Sequence, residues 1–272
     1  MQRAFRQVDV FTSVPYRGNP LAVVLDGQGL DTEEMRRFAA WTNLSETTFV
    51  LPPTVPGADY RVRIFTGSGE LPFAGHPTLG TCHAWLESGG RPRDAAEIVQ
   101  ECDAGLIRVR RTEDGLAFAA PELVRSGPVE EELAERLAET LRIGRERMLA
   151  VEWADNGPGW VVVVLLAAAE EVLELRPGAI EHMVGVAGPC REGSPYAYEV
   201  RVFAPDVEDP VTGSLHASLA QFLLRTGRVK APYTAGQGTV LGRAGRVRIT
   251  ADERDVWVGG AVVTCVSGQV AL

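Results

Sequence analysis

An internal repeat constrains the fold of this chain more than any other feature of its sequence. Residues 60–89, YRVRIFTGSGELPFAGHPTLGTCHAWLESG, align without gaps on residues 198–227, YEVRVFAPDVEDPVTGSLHASLAQFLLRTG, at an offset of 138. Nine of the thirty aligned positions are identical, where average composition gives about two by chance. They include a glutamate, a proline and two glycines, which favours duplication over the alternative of two unrelated strand–turn–helix units with a shared pattern.

Each copy of the repeat predicts a strand, a turn and a buried helix. Alternating apolar side chains predict strands over 60–65 and 198–203, and the motif E-x-P-x-x-G follows each of them. We expect the helices to begin near His76 and at Ser214, since proline at position 77 and a serine cap both suit a helix start. Both helices are apolar on nearly every face, as in helices buried on all sides.

The rest of the chain is rich in short strand patterns, so the sequence predicts an α+β fold of two pseudo-symmetric lobes. Each lobe is expected to be a barrel-like, mostly antiparallel sheet around one buried central helix. The N-terminal lobe would span 1–118 and the C-terminal lobe 119–261. Outer helices are expected over 31–43, with a capping box formed by Asp31 and Glu34, and over 128–143, starting at Pro128.

Composition excludes several classes of function. The net charge is -9 and no block of five basic residues occurs, so we expect no nucleic-acid partner. The longest apolar run, 160–169, has ten residues, whereas a membrane-spanning helix needs roughly 20. The first residues alternate like a strand and lack the apolar centre of a secretory signal. We therefore expect a cytoplasmic protein that does not insert into a membrane.

Neither a metal nor an organic cofactor is expected. The cysteines are widely spaced without a C-x-x-C motif, as is typical of reduced thiols, and the four histidines form no HExxH motif. No G-x-G-x-x-G motif leads from a strand into a helix, which argues against flavin and nicotinamide cofactors.

The glycine-containing loops before the two repeat helices predict a site for an anion. Free N–H groups at a helix start attract negative charge, and glycine allows a ligand to approach the backbone. If the two helix starts face each other, they form a paired cradle for carboxylate or enolate oxygens. The alternative is that both loops are structural turns packed against a core.

Three ionisable residues break the symmetry of the repeat. His76 aligns with Ser214, Asp209 with Leu71, and Glu46 with Val184. A symmetric scaffold with asymmetric ionisable groups suits a reaction that treats the two ends of a substrate differently. Taken alone, Glu46 is also typical of a cap or a surface charge, and His76 of a helix-start residue that bonds a carbonyl.

Four ordered motifs extend this interpretation: GNP at 18–20, NLSETTFV at 43–50, ELPFAGHPTLGT at 70–81 and EDPVTGS at 208–214. They resemble the signatures of the PhzF-like isomerase family of phenazine biosynthesis, over nearly the whole chain. The resemblance implies a diaminopimelate-epimerase-like fold with the active site between two lobes. It also implies that the C-terminal strand, about 262–272, returns to the first lobe, and that the protein is a homodimer.

The resemblance assigns roles residue by residue. It implies Glu46 as the proton-shuttling acid/base, with His76 and Asp209 as the other catalytic residues. It further implies a substrate-binding set at the same motifs: Asn19, Ser45, Gly75, Thr212, Gly213 and Ser214. The best-known family member isomerises trans-2,3-dihydro-3-hydroxyanthranilate without a cofactor. We therefore expect a small-molecule carboxylate substrate, and a buried glutamate is suited to the proton transfer.

Two other functions remain open. A cysteine-dependent racemase or epimerase of the same fold would need a thiol at each helix start, but Ala74 and Val211 stand there and Cys82 lies about two turns into its helix. A small-molecule-binding protein without catalysis is the third hypothesis. His216, one turn after Ser214, is interpreted either as a further substrate contact or as a helix-packing residue.

Overall fold

A computed structural model describes residues 1–165, 167–205 and 207–272 of the chain. Leu166, in the apolar run, and Asp206, in the second repeat copy, lie outside the described residues. The chain forms two compact units: unit 1 comprises Met1–Ala119 with Gly259–Leu272, and unit 2 comprises Ala120–Val258. Across the described residues, no helix combines the length and the apolar character that crossing a membrane requires.

The first half of the chain contains eight strands and two α-helices: β1 (Gln2–Val10), β2 (Asn19–Val24), α1 (Thr32–Thr42), β3 (Thr47–Leu51), β4 (Tyr60–Phe65), β5 (Glu70–Leu71), α2 (Gly75–Glu87), β6 (Glu97–Cys102), β7 (Gly105–Thr112) and β8 (Gly115–Ala119). The second half continues with β9 (Arg125–Pro128), α3 (Glu131–Leu141), β10 (Met148–Asp155), β11 (Trp160–Leu165), α4 (Ala169–Glu174), β12 (Met183–Pro189), β13 (Tyr198–Ala204), β14 (Val207–Asp209), α5 (Gly213–Arg225), β15 (Tyr233–Gln237), β16 (Gly245–Ala251), β17 (Val256–Gly260) and β18 (Val262–Ala271). Short 3₁₀ turns occupy Arg145–Arg147 and Thr239–Leu241.

The two units pair their strands in the same order. In unit 1, β1–β2 is antiparallel, β2–β3 parallel, β3–β4 antiparallel, β4–β6 parallel and β6–β7 antiparallel. In unit 2, the same sequence of directions runs through β10–β11, β11–β12, β12–β13, β13–β15 and β15–β16. The sequence repeat is therefore a repeat of topology, and it extends beyond the thirty aligned residues.

Each unit holds one of the two apolar helices against its strands. The helix α2 packs on β1, β2, β3, β6, β8 and β18, and its residues from Gly75 to Cys82 are all buried. A Cβ atom added at Gly80 would lie 2.6 Å from the Leu21 side chain, so glycine allows α2 to approach β2 closely. In unit 2, α5 packs on β10, β11 and β16 and is buried over most of its length.

The identical arginine and glutamate of each repeat copy form an ion pair that fixes the turn before the central helix. Arg63 donates to both carboxylate oxygens of Glu70 at 2.7 and 2.6 Å. Arg201 makes the same two bonds to Glu208, both at 2.8 Å. Each pair joins the repeat strand, β4 or β13, to the short strand beside it, β5 or β14. These bidentate pairs therefore hold the loop that leads into α2 or α5.

The outer helices begin as helix-capping chemistry requires, with one correction to the sequence-based expectation. The capping box of Asp31 and Glu34 before α1 is confirmed. The second outer helix, α3, begins at Glu131 rather than at Pro128, because Pro128 still pairs with Glu152 in the β9–β10 ladder. The C-terminal strand β18 pairs along its length with β1 in unit 1.

The start of α5 also differs from expectation. Its N-cap residue is Thr212, and Ser214 lies in the first turn of the helix. Serine is a good cap only when its side chain reaches the N–H groups of the first turn. Here the Ser214 hydroxyl is bonded by Trp160 instead, so the N-cap lies two residues earlier than predicted and the helix begins at Gly213.

Candidate active site

The first turn of α2 is buried without a side-chain cap. The side chain of the N-cap residue Ala74 has no oxygen with which to accept from the free N–H groups, and the first turn carries no acidic residue. Ala74, Gly75 and His76 are all buried. A helix start of this kind presents backbone donors and a partial positive charge to an anion.

His76 lies at this helix start between an amide and a carboxylate. Its Nδ1 atom is 3.3 Å from Asn19 Nδ2, and its Nε2 atom is 3.3 Å from Glu46 Oε2. The imidazole is 4% exposed. Unit 1 thus brings together three of the residues that the motifs singled out separately, from β2, from the turn before β3 and from α2.

The environment of His76 determines its protonation. Burial lowers the pKa of the imidazole to about 3, so the ring is neutral near pH 7. The amide nitrogen of Asn19 can only donate, which makes Nδ1 the acceptor and places the ring proton on Nε2. Within the described part of the chain, Nε2 makes no hydrogen bond. A buried donor of this kind is uncommon in a stable core and typical of a site that binds or reacts.

Local backbone structure explains why Asn19 and Glu46 stand where they do. The buried Asp9 carboxylate accepts from the N–H groups of Arg17 and Gly18 at 2.7 and 2.9 Å, and so shapes the turn into β2. A Cβ atom at Gly18 would lie 2.1 Å from the Val10 carbonyl oxygen, so only glycine fits before Asn19. Glu46 follows the left-handed C-cap Asn43 of α1, directly before β3.

The start of α5 in unit 2 is also uncapped, but it is surrounded by hydrogen bonds of a different kind. The N-cap residue Thr212 makes no side-chain bond to the first turn, because its hydroxyl donates to Asp209 Oδ2. Gln237 donates to the Thr212 hydroxyl at 3.0 Å and accepts from the Thr212 N–H at 3.0 Å. Asp209, Thr212 and Gln237 are therefore held in one network.

Ser214 is bonded from the turn between β10 and β11. The indole N–H of Trp160 donates to Ser214 Oγ at 3.2 Å, and Asn156 Nδ2 donates to the Ser214 carbonyl at 2.9 Å. The Asp155 carboxylate accepts from Gly157 N and Gly159 N at 2.8 and 2.6 Å and holds this turn in place. Since Ser214 Oγ accepts from Trp160, its own hydroxyl proton is a donor for another group.

His216 is a packing and hydrogen-bonding residue of this network. Its Nε2 atom lies 3.0 Å from Gln237 Oε1, and a carbonyl oxygen can only accept, so Nε2 carries the proton. Burial lowers the pKa of His216 to about 4, against the opposing effect of the bond to Gln237. Its contact with Gln237 explains its position without a ligand.

Several residues of these networks carried no signal in the sequence motifs. Gln237, Trp160 and Asn156 lie outside both copies of the repeat and belong to none of the four motifs. The sequence offers one indication for Gln237, namely that it ends a strand directly before Gly238. Among the predicted residues, Gly75 and Gly213 are the first residues of α2 and α5, whereas Ser45 is exposed beside Glu46.

The four cysteines of the chain are free thiols, and Cys82 is buried inside α2. Burial raises the pKa of the Cys82 thiol to about 12. A thiol with such a pKa is a packing group at neutral pH. Among the described residues, no three or more His, Cys, Asp or Glu side chains cluster in a way that could hold a metal ion.

Comparison with known proteins places the chain. The family model described as phenazine biosynthesis-like protein, PhzC-PhzF, matches residues 8–268. The chain belongs to this family. Among its relatives is antisense-enhancing sequence 1 of Schizosaccharomyces pombe, 36% identical over 98% of each chain. Another is trans-2,3-dihydro-3-hydroxyanthranilate isomerase of Pseudomonas fluorescens, 34% identical over 97% of this chain and 98% of that protein.

The fold of this PhzF-family chain agrees with a solved structure. A phenazine biosynthesis protein of the PhzF family from Bacillus anthracis matches with a TM-score of 0.81 at 23% identity, over 100% of both chains. The predicted α+β, diaminopimelate-epimerase-like fold is thereby confirmed. The predicted enzyme class, a PhzF-like isomerase, is confirmed at the level of the family.

Proposed function

We propose that this PhzF-family chain is a cofactor-independent isomerase that moves a proton within a small cyclic carboxylate bearing amino or hydroxyl groups. One observation carries the proposal: a neutral, buried His76 whose Nε2 atom lies 3.3 Å from Glu46 Oε2 at an uncapped helix start. A carboxylate serves as a general base, and a neutral imidazole serves as a fixed donor. Asn19 fixes which ring nitrogen donates.

The reaction follows from a single acid/base group. The Glu46 carboxylate takes a proton from one substrate carbon, and the electron pair of that C–H bond forms a new π bond. The neighbouring π pair shifts along the ring and takes a proton from the Glu46 carboxylic acid at another carbon, after that acid has exchanged its proton with solvent in part of the turnovers. Substrate and product are then isomers, and neither an oxidant nor a reductant is consumed.

Binding is assigned to donors at the helix starts. The first-turn N–H groups of α2 lack a side-chain cap, and donors of this kind stabilise a carboxylate or the charge that develops along a diene. The Ser214 hydroxyl at α5 adds a further donor, because its oxygen already accepts from Trp160. The proposal also assigns Asp209, which the family resemblance implies as a catalytic residue, to the binding of an amino or hydroxyl group.

A thiol-dependent racemase is less well supported. That chemistry needs a reactive thiolate at a helix start, whereas Cys82 lies inside α2 and burial raises its pKa to about 12. Isomerisation by Glu46 needs no thiol. We therefore expect activity to survive treatment of the native protein with a thiol-alkylating reagent.

The direct test is proton NMR in D2O with trans-2,3-dihydro-3-hydroxyanthranilate as substrate. We expect the wild-type protein to isomerise it with solvent deuterium incorporation. Replacement of the acid/base group in Glu46→Gln should lower kcat by about a hundredfold to ten-thousandfold. The matched control is Glu87→Gln, since Glu87 Oε1 lies at the same 3.3 Å from a histidine Nε2, that of His83, at the other end of α2.

Three outcomes decide the proposal. Turnover that depends on Glu46 and survives Glu87→Gln supports it. Equal turnover by the wild type and by Glu46→Gln contradicts the role of Glu46. No isomerisation and no deuterium incorporation with the wild-type protein contradict the proposed substrate class.

A further inference from the structure

Gln237, the last residue of β15, is the hydrogen-bonding centre of the α5 start. Its Oε1 accepts from the Thr212 N–H and from His216 Nε2, both at 3.0 Å. Its Nε2 donates to the Asp209 carbonyl at 2.9 Å and to the Thr212 hydroxyl at 3.0 Å. The side chain is 1% exposed. One buried carboxamide therefore satisfies all of its hydrogen-bonding capacity on three residues around the helix start.

These bonds have a defined direction. The His216 imidazole donates to Gln237, and Gln237 donates to the Thr212 hydroxyl. Since the Thr212 oxygen accepts from Gln237, its proton is directed to Asp209 Oδ2. Only a group that donates and accepts at the same time can connect His216 to Asp209 in this way, and a carboxamide is such a group.

The chain of bonds fixes Asp209 at two points. Gln237 holds its main-chain carbonyl, and Thr212, itself oriented by Gln237, holds its carboxylate. Asp209 ends the short strand β14 and is partly exposed, so its own strand gives the side chain little support. Groups that orient a reacting or binding side chain act through such fixed bonds.

We infer that Gln237 is a positioning residue that orients the Asp209 carboxylate for substrate, an inference that rests on the role proposed for Asp209. Gln237 acts through Thr212 and does not touch the substrate. The competing explanation is that Gln237 merely stabilises the start of α5. The two differ in whether Gln237 still matters when Asp209 is altered.

A double-mutant cycle separates them, with trans-2,3-dihydro-3-hydroxyanthranilate as substrate. Gln237→Glu keeps an acceptor for the Thr212 N–H and His216 but removes the donor to Thr212 and to the Asp209 carbonyl. We expect kcat/KM to fall about tenfold, and by less than about twofold when the same change is made in Asp209→Asn. Thr212→Val, which breaks the link between Gln237 and Asp209, should give a similar loss.

The matched control is Gln221→Glu. Gln221 is a partly buried glutamine of α5 that donates to the Pro121 carbonyl at 2.9 Å, outside the network at the helix start. We expect its kcat/KM to match the wild type. Circular dichroism and thermal unfolding of each variant establish that the compared proteins are folded.

The inference is overturned if Gln237→Glu lowers kcat/KM equally in the wild-type and Asp209→Asn backgrounds, or if Thr212→Val has wild-type kinetics. Absence of wild-type turnover contradicts the proposed function alone. In that event crystal structures of the wild type and Gln237→Glu decide the inference: release of the Asp209 carboxylate from the Thr212 hydroxyl supports it, and an unchanged contact overturns it.

Discussion

The starts of α2 and α5 occupy the same place in the repeat and carry different chemistry. At α2 a neutral histidine lies between an amide and a carboxylate and keeps a buried donor without a hydrogen bond in the described structure. At α5 the matching residue is Ser214, and the buried polar groups form a connected network through Gln237. In the proposed function, the first helix start serves a proton transfer and the second holds donors in fixed directions.

The difference shows which repeated residues serve the scaffold and which serve the chemistry. The arginine–glutamate pairs Arg63–Glu70 and Arg201–Glu208 are identical in residue type and geometry. They hold the turn that leads into each helix, and both units need that turn. His76 and Ser214 differ in residue type, and the proposed function gives them different roles.

The largest effect is expected from truncating the side chains at the two positions that match in the repeat, His76 and Ser214. His76→Ala removes the neutral donor beside Glu46, and we expect kcat for the isomerisation to fall about a hundredfold or more. Ser214→Ala removes one hydroxyl donor, and we expect KM to rise about tenfold with a smaller change in kcat. Steady-state kinetics on both variants measure the split.

A kcat loss at Ser214→Ala as large as that at His76→Ala would remove the distinction between the two helix starts. The control for lost packing at α2 is His83→Ala, which removes a partly buried histidine two turns further along the helix. That variant should retain the wild-type kcat.

The two arginine–glutamate pairs should differ in how much they contribute to the free energy of unfolding, and neither is expected to take part in the reaction. Arg201 and Glu208 are 5% and 17% exposed, against 16% and 24% for Arg63 and Glu70. Removing one partner leaves the other charge in a poorly solvated place, so Glu208→Gln should lower the free energy of unfolding by about 3 kcal/mol. Glu70→Gln should cost about 1–2 kcal/mol, since water reaches this pair more easily. Urea unfolding measures both, and the reverse order would contradict the argument from burial.

The two buried histidines should destabilise the fold in acid, each over a different pH range. Burial lowers the pKa values of His76 and His216 from 6.5 to about 3 and about 4, so below pH 6.5 the unfolded chain binds these protons and the folded chain does not. Their neutral burial therefore destabilises the fold as pH falls, by up to about 1.4 kcal/mol per pH unit for each histidine.

The effect should extend to about pH 3 for His76 and end near pH 4 for His216. His76→Gln and His216→Gln each remove one contribution, so the free energy of unfolding should fall less steeply with decreasing pH than in the wild type. Urea unfolding between pH 7 and pH 3 tests this, and slopes identical to the wild type would show that neither histidine contributes.

The smallest effect is expected at the turn that bonds Ser214. Trp160→Phe removes the indole N–H bond to the hydroxyl and leaves the aromatic packing, so we expect KM to rise about threefold. Trp257→Phe is the matched control, because the Trp257 indole donates at 2.7 Å to Asp252, outside this network. Equal KM changes in the two variants would show that the bond to Ser214 has no special role.

Much of the fold could be predicted because it depends on local pattern. Period-two apolar alternation marked β4 and β13, and a capping box marked α1 correctly. The predicted start of α3 was wrong because Pro128 belongs to the strand β9, where it pairs with Glu152 of β10. The predicted N-cap of α5 was wrong because Trp160, distant in sequence, donates to the Ser214 hydroxyl that the capping rule assigns to the helix.

The candidate site was predictable where motifs are contiguous and not where it depends on contacts between distant segments. Glu46, His76 and Asp209 stood out as ionisable residues that break a repeat. Gln237 did not, since a buried glutamine becomes meaningful only when its four hydrogen bonds are known.

By itself, the sequence determined that the chain contains two related strand–turn–helix units with asymmetric ionisable residues, because residue identity and spacing can be compared directly along the chain. Only the tertiary structure decided which imidazole nitrogen carries the proton, which hydroxyls donate and which amide directs them. Those properties arise from burial and from hydrogen bonds between segments far apart in the chain, and both exist only once the backbone has brought the segments within about 3 Å of one another.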